Sequence, residues 1–204
     1  MMLIFGANGP SGRALLERLN NKDAVAVLRK PAEDGFFAQH GFQTASADVL
    51  DAGACEAVIE QYRPDTVVSF VGGKNEQGIR SDATGNINII EAAACHVPAA
   101  RFVFVTGMGC GEQWEGTSEP FKQALGEAVK AKTEAENVLR GTDLRWTILR
   151  PCGLGSGDSD AYRLHQNLND IPRQYMNRNG LAAAVCEVLG DENSIGRVYS
   201  VTAE

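Results

Sequence analysis

Gly6, Gly9 and Gly12 stand three residues apart in Gly6-Ala7-Asn8-Gly9-Pro10-Ser11-Gly12-Arg13. A turn with bare backbone at that spacing can press against a pyrophosphate, because side chains at Gly6 or Gly9 would block the approach. Asn8, Pro10 and Ser11 fill the turn and join its candidate binding set. A second feature lies at Arg29-Lys30, two cations directly after the apolar run 24–28. A third is Lys132, which falls on the apolar stripe made by Leu125, Ala128, Ala135 and Leu139. An ammonium there is expensive unless a polar group meets it. It either snorkels from the stripe's edge or faces a cleft and holds a ligand hydroxyl.

The elements that would position these residues follow from the apolar pattern. Met2 to Phe5 is one buried strand, and Ala14, Leu15, Leu16 and Leu19 mark one face of a helix directly after the glycine turn. Strand, glycine-rich turn and helix form a dinucleotide-binding start, in which the helix N-terminus offers unpaired N–H groups and a positive dipole end to phosphates. A plain structural turn is the competing reading. Where an NAD-binding chain places an acid to hold the ribose 2′-hydroxyl, this one has Arg29 and Lys30. A forked cation suits a 2′-phosphate, so NADP(H) is expected over NAD(H), against the reading of a solvated strand end.

Further strands are expected at 42–47, 66–71, 101–106, 144–149 and 198–201, with helices near 36, at 52–62, around 87–95, at 120–140 and at 178–189. Asp48-Val49 closes the third strand. It either flanks an adenine, Val49 covering one face, or its neighbourhood caps the next helix through Asp48 or Asp51. Gly72-Gly73 ends the fourth strand with small residues where a cofactor could approach. Strands alternating with helices predict an α/β fold, a doubly wound parallel Rossmann-type sheet in one domain over residues 1–204, in the order 3-2-1-4-5-6-7. Segments 107–120, a flexible lid around Trp114, and 152–175 are expected to cover the substrate.

Composition narrows the function. The chain has 204 residues, 44% of them hydrophobic, with 19 basic against 26 acidic residues and a net charge of −7. That charge and the lack of a basic cluster exclude a nucleic-acid role. No apolar run approaches the ~20 residues of a membrane span. With no leader pattern before Arg13, a cytoplasmic protein is expected. Five cysteines, odd in number and widely spaced, predict neither disulfides nor a metal site. His40 and His96 read as helix-end residues, while Tyr162 and His165 lie in a segment with no clear period.

Taken in order, GANGPSGR, LRK after the second strand, VTG after the fifth, KAKTEAE on the long helix and WTILRP on the sixth strand resemble a family. They are similar to the atypical short-chain dehydrogenase/reductases, in the NmrA-like NAD(P)H-binding branch that includes flavin and biliverdin-IXβ reductases. The resemblance covers nearly the whole chain. It implies that Gly6, Gly9 and Gly12 line the pyrophosphate, Arg29 holds the 2′-phosphate, and Asp48 and Val49 border the adenine. It also implies that Thr106 and Lys132 lie beside the nicotinamide ribose and Pro151 by the ring. The family's active members usually carry a tyrosine four residues before the lysine, and here that position is Ala128. The resemblance therefore implies an NADPH-dependent reductase that passes hydride to a small conjugated or carbonyl acceptor without the usual phenol. Lys132 and Thr106 then carry the catalytic site. A non-catalytic NADP(H) sensor is the alternative.

Overall fold

The computed structural model describes residues 1–19, 23–168 and 174–204. Strand β1 (Met2–Phe5) leads through the glycine turn into α1 (Pro10–Leu19), and β2 (Ala24–Leu28) follows. The short α2 (Phe36–His40) precedes β3 (Gln43–Ser46), then α3 (Ala52–Tyr62) and β4 (Thr66–Ser69). Next come α4 (Thr84–His96), β5 (Arg101–Val105), a 3₁₀ stretch (Gly111–Gly116) and the long α5 (Glu119–Arg140). The chain closes with β6 (Arg145–Pro151), the short β7 (Gly153–Gly155), β8 (Arg163–His165) and β9 (Tyr175–Asn177), then α6 (Arg178–Gly190) and β10 (Arg197–Thr202).

The central sheet has eight strands in the order β3-β2-β1-β4-β5-β6-β10-β8. Its first seven run parallel in the expected order 3-2-1-4-5-6-7, β10 taking the seventh place. Strand β8 adds an antiparallel edge through Ser200 opposite His165. It arises within the segment that shows no period in sequence, because three residues are too few to display one. Strands β7 and β9 pair separately.

The inner strands of the sheet are buried on both faces, as parallel sheets require, whereas the edge strands β3 and β8 are partly exposed. Alternation splits β1 between the two cores: Ile4 packs with Leu15 and Leu16 of α1 and Leu181 of α6, whereas Leu3 and Phe5 pack with Ile59 of α3, Ile89 of α4 and Leu139 of α5. Strand order reverses between β1 and β4, so the crevice at their carboxyl ends opens beside the glycine turn.

Two expectations change here. The apolar stripe of α5 is buried only in its second half, at Ala135 and Leu139, while Leu125 stands 50% exposed. The stretch 107–120 is a wall held at several points, as set out below. Among the described residues, no helix is long and apolar enough to cross a membrane.

Candidate active site

The glycine turn is packed as tightly as its residue types suggest. Gly6 has φ +74°, and a Cβ there would lie 2.9 Å from the Phe70 carbonyl carbon. A Cβ on Gly12 would lie 2.6 Å from Ala7 Cα and from Gly6 O, both backbone atoms that cannot yield. Gly9 N–H donates to Gly6 O at 3.1 Å and closes the turn. Pro10 is the first residue of α1, where its missing N–H is no loss, and Ser11 and Gly12 supply the first-turn N–H groups. The turn therefore presents a helix N-terminus and unobstructed backbone to the crevice, a fit to a dinucleotide's pyrophosphate.

Around it stand the ends of neighbouring strands. Arg29 is exposed just past β2 and makes no hydrogen bond or ion pair among the described residues. Lys30, beside it, is engaged with Glu76 at 2.8 Å. Past β3, Asp51 is the cap of α3, accepting from Ala54 N–H at 3.2 Å. Asp48 accepts from Leu50 N–H at 3.0 Å, leaving its side chain exposed at the strand end. Val49 packs against Gly85, where a Cβ would lie 2.7 Å from Val49 Cγ2. At the end of β4, Gly72 abuts Lys132, whose Nζ would be 3.3 Å from a Cβ at that position, and Gly73 has nothing within 4 Å of one.

Lys132 does not snorkel away. Its Nζ donates to Val71 O at 3.1 Å and Val105 O at 3.3 Å, bridging the chain after β4 and the end of β5. Burial lowers the lysine's pKa, opposed first by Asp82. That buried carboxylate is 3.9 Å from Nζ through Oδ1, and its Oδ2 accepts from Gly73 N–H and Arg80 at 2.9 Å each. Asp82 sits in a polar loop without periodicity, so its role is visible only in three dimensions.

Beyond Lys132 lies a cavity of about 660 Å³, lined by residues including Thr106, Ala128, Lys132 and Pro151. One wall comes from 107–118 and α5, the other from 152–154, Leu168, Gln174 and Tyr175. Residues 169–173, part of the second expected cover, lie outside the described residues. Ala128 leaves open the space a larger side chain would fill on this wall. Leu125 and Tyr175, two of the exposed large apolar side chains, both line the cavity.

Thr106 is buried, and its hydroxyl donates to Glu136 Oε1 at 2.7 Å. With its proton spent there, Thr106 offers the cavity a lone pair or a methyl group. Glu136 is itself held by Arg150, Nε to Oε1 at 3.1 Å and Nη2 to Oε2 at 2.6 Å, and both partners are buried. Arg150 Nη2 also reaches Glu112 at 3.1 Å. Neither Glu136 nor Asp82 stands out from sequence spacing; an acid at 1% exposure on a long helix is the structural sign of a buried network.

The remaining residues singled out in sequence take structural places. Trp114 lies over Gly126, between the ammonium groups of Lys122 and Lys130 at 5.3 and 5.1 Å, and anchors its segment outside the cavity lining. Tyr162 donates to Glu187, and His165 pairs with Thr202 at 2.8 Å; neither lines the cavity. All five cysteines are free, and no cluster of metal-ligating side chains occurs among the described residues.

Comparison with known proteins identifies the family. The NAD(P)H-binding family matches residues 6–192. The chain belongs to that family. ChuY of Escherichia coli O157:H7, an anaerobillin reductase, is 30% identical with a TM-score of 0.86, covering 99% of this chain and 96% of its own. The uncharacterized sugar epimerase YhfK of Bacillus subtilis (strain 168) is 25% identical over 213 residues, covering 98% of this chain and 93% of YhfK. A short-chain dehydrogenase/reductase of Veillonella parvula in complex with NADP shares the fold, with a TM-score of 0.74 at 18% identity over 98% of this chain and 93% of that one. The NAD(P)H-binding branch to which the ordered motifs point is thus the chain's family.

Proposed function

We propose that this chain is an NADPH-dependent reductase acting on a conjugated or carbonyl acceptor. The observation that carries the reading is the continuity of Lys132, Thr106 and Pro151 with a cavity of about 660 Å³ at the carboxyl end of the sheet. The dinucleotide, when bound, supplies the hydride; the chain's own residues bind, orient and exclude water. Gly6, Asn8, Gly9, Pro10, Ser11 and Gly12 would hold the pyrophosphate and Arg29 the 2′-phosphate, with Asp48 and Val49 beside the adenine. Lys132 would donate to the ribose hydroxyls, and the Thr106 lone pair would accept from a hydroxyl or amide N–H. The likeness to ChuY, whose name states a reductase, supports this class.

Ala128 supports an acceptor whose reduction needs no phenolic proton donor, with the proton drawn from water. The same alanine also suits a protein that binds NADP(H) without turnover. Leu125 and Tyr175 at the cavity favour the reductase, since their exposed apolar surface lies where an acceptor would enter. The test is fluorescence titration with NADPH and NADH, then stopped-flow oxidation of bound NADPH against flavins, quinones and other conjugated acceptors. Arg29→Ala is expected to weaken NADPH by about 1–3 kcal/mol, the range for a charge-assisted bond, with NADH barely changed. Tight NADPH binding with no oxidation above background for any acceptor would overturn the reductase and leave the sensor.

A further inference from the structure

Arg13, at the start of α1, joins two parts of the crevice that the glycine turn alone does not connect. Its Nε donates to Asn8 O and Asn8 Oδ1, both at 3.2 Å, and its Nη2 to the same Oδ1 at 2.5 Å. Its Nη1 lies 2.6 Å from Asp34 Oδ2. The guanidinium carbon rests 4.5 Å from the Phe36 ring centre and 5.6 Å from that of Phe37. One cation thus spans from the turn to the loop between β2 and α2, the loop that begins with Arg29 and Lys30. In a doubly wound fold this gap receives the adenosine ribose, and a cation in it meets a 2′-phosphate.

The anion now on Arg13 is a carboxylate of the chain itself. Asp34 is fixed by more than charge, since its Oδ1 also accepts from Phe36 N–H at 3.2 Å. The Arg13 guanidinium, and then the Phe36 N–H, hold the Asp34 carboxyl below its ordinary pKa, so it is charged at neutral pH. We infer that Asp34 sets cofactor choice by occupying the Arg13 guanidinium, so that it narrows the margin by which NADPH outcompetes NADH. This rests on the dinucleotide reading above. A 2′-phosphate brings about two negative charges to a cation that already has a partner, and to the carboxylate beside it. A 2′-hydroxyl brings no charge and can donate to that carboxylate. The Asp34 side chain is 52% exposed and that of Arg13 25%, so solvent screens the pair from the carboxylate side and weakens it. A phosphate can displace it, at a penalty that NADH does not meet.

Asp34→Asn keeps the acceptor for Phe36 N–H and removes the charge. In titrations by nucleotide fluorescence, its NADPH dissociation constant is expected to fall roughly threefold to tenfold, with that for NADH unchanged or raised. In an Arg13→Met background the same Asp34 substitution should move the NADPH-to-NADH ratio by less than about twofold, because the coupled partner is gone. Asp34→Ser, with thermal melts of each variant, guards against a folding defect in one substitution. An NADPH-to-NADH ratio unmoved by Asp34→Asn and Asp34→Ser, or moved equally without Arg13, would overturn the inference while leaving the dinucleotide reading intact. Failure of the wild-type chain to bind either nucleotide would overturn both.

Discussion

An ammonium held among carbonyl oxygens trades folding stability for grip. Lys132 donates to Val71 O and Val105 O and has one carboxylate, that of Asp82, at 3.9 Å. Its pKa in the folded chain is lowered from 10.5 by burial, so at alkaline pH the unfolded chain binds more protons than the native one. Stability from this group therefore rises with pH between the lowered value and 10.5. Lys132→Met should remove that rise and leave the melting temperature within about 2–4 °C at pH 7, since the desolvation cost it avoids is set against the ammonium lost from Val105 O and from Asp82, which keeps Arg80 as its partner. The same variant should weaken NADPH by about tenfold or more, the loss of at least one charged hydrogen bond. A lower melting temperature together with intact NADPH binding would show a purely structural lysine. The cysteines give a second residue-scale expectation. Burial pushes the Cys55 thiol up to about 12 and the Cys110 thiol up to about 11, whereas Cys95 is exposed. Thiolates are the reactive species. Brief iodoacetamide treatment of the native chain at pH 8, read by peptide mass spectrometry, should label Cys95 well before Cys55 or Cys110.

Between elements, the site is braced by one buried ionic network. Thr106 follows β5, Glu136 projects from α5, Arg150 lies on β6, and Glu112 belongs to the 3₁₀ stretch. Removing one member of a buried pair strands the other's charge. Glu136→Ala should destabilise the fold by about 3–5 kcal/mol, lowering the melting temperature by roughly 10 °C in calorimetry. A loss below about 1 kcal/mol would mean that water replaces the carboxylate without penalty. This network marks where reading the chain by pattern stops working. The β1–turn–α1 unit, the seven parallel strands and their order are legible because they rest on local signals: apolar runs, glycine spacing and the rule for parallel connections. Arg29 is legible for the same reason, as its place follows directly from the end of β2. Glu136 is not, because the Arg150 that justifies its burial belongs to another element, brought up by packing. Leu125 misleads, since its 3-4 spacing fits a buried stripe while its actual place is the cavity mouth. Trp114 is readable only together with Gly126, whose missing side chain makes its seat.

At the scale of the whole molecule, the two covers of the cavity form one piece with the sheet. Gln113 is a buried amide whose Oε1 accepts from Gly109 N–H at 3.0 Å, and whose Nε2 donates to Leu168 O and Ser200 Oγ at 2.8 Å each. Through this side chain the first cover holds its own turn, grips the second cover and reaches β10. Gly111 N–H adds a bond to Thr133 Oγ1 at 2.9 Å, and Trp114 seats the far end on α5. A wall so tied is preformed, and its opening depends on few contacts. Gln113→Leu preserves bulk but leaves the Gly109 N–H and the Leu168 carbonyl without their partner, at about 1–3 kcal/mol for each buried group. The consequence should be local, because the parallel core on the other side of the sheet's switch point does not use this amide. Hydrogen-exchange mass spectrometry should show amides in 107–118 and 153–168 exchanging at least about tenfold faster, in line with 1.4 kcal/mol or more of lost local protection. Amides of β1 and β2 should keep their protection, and NADPH should bind within about twofold, since the glycine turn belongs to that half of the sheet. Faster exchange spread evenly over the sheet would mean that Gln113 supports the global fold. Unchanged exchange in both covers would mean that the remaining ties hold the wall without it.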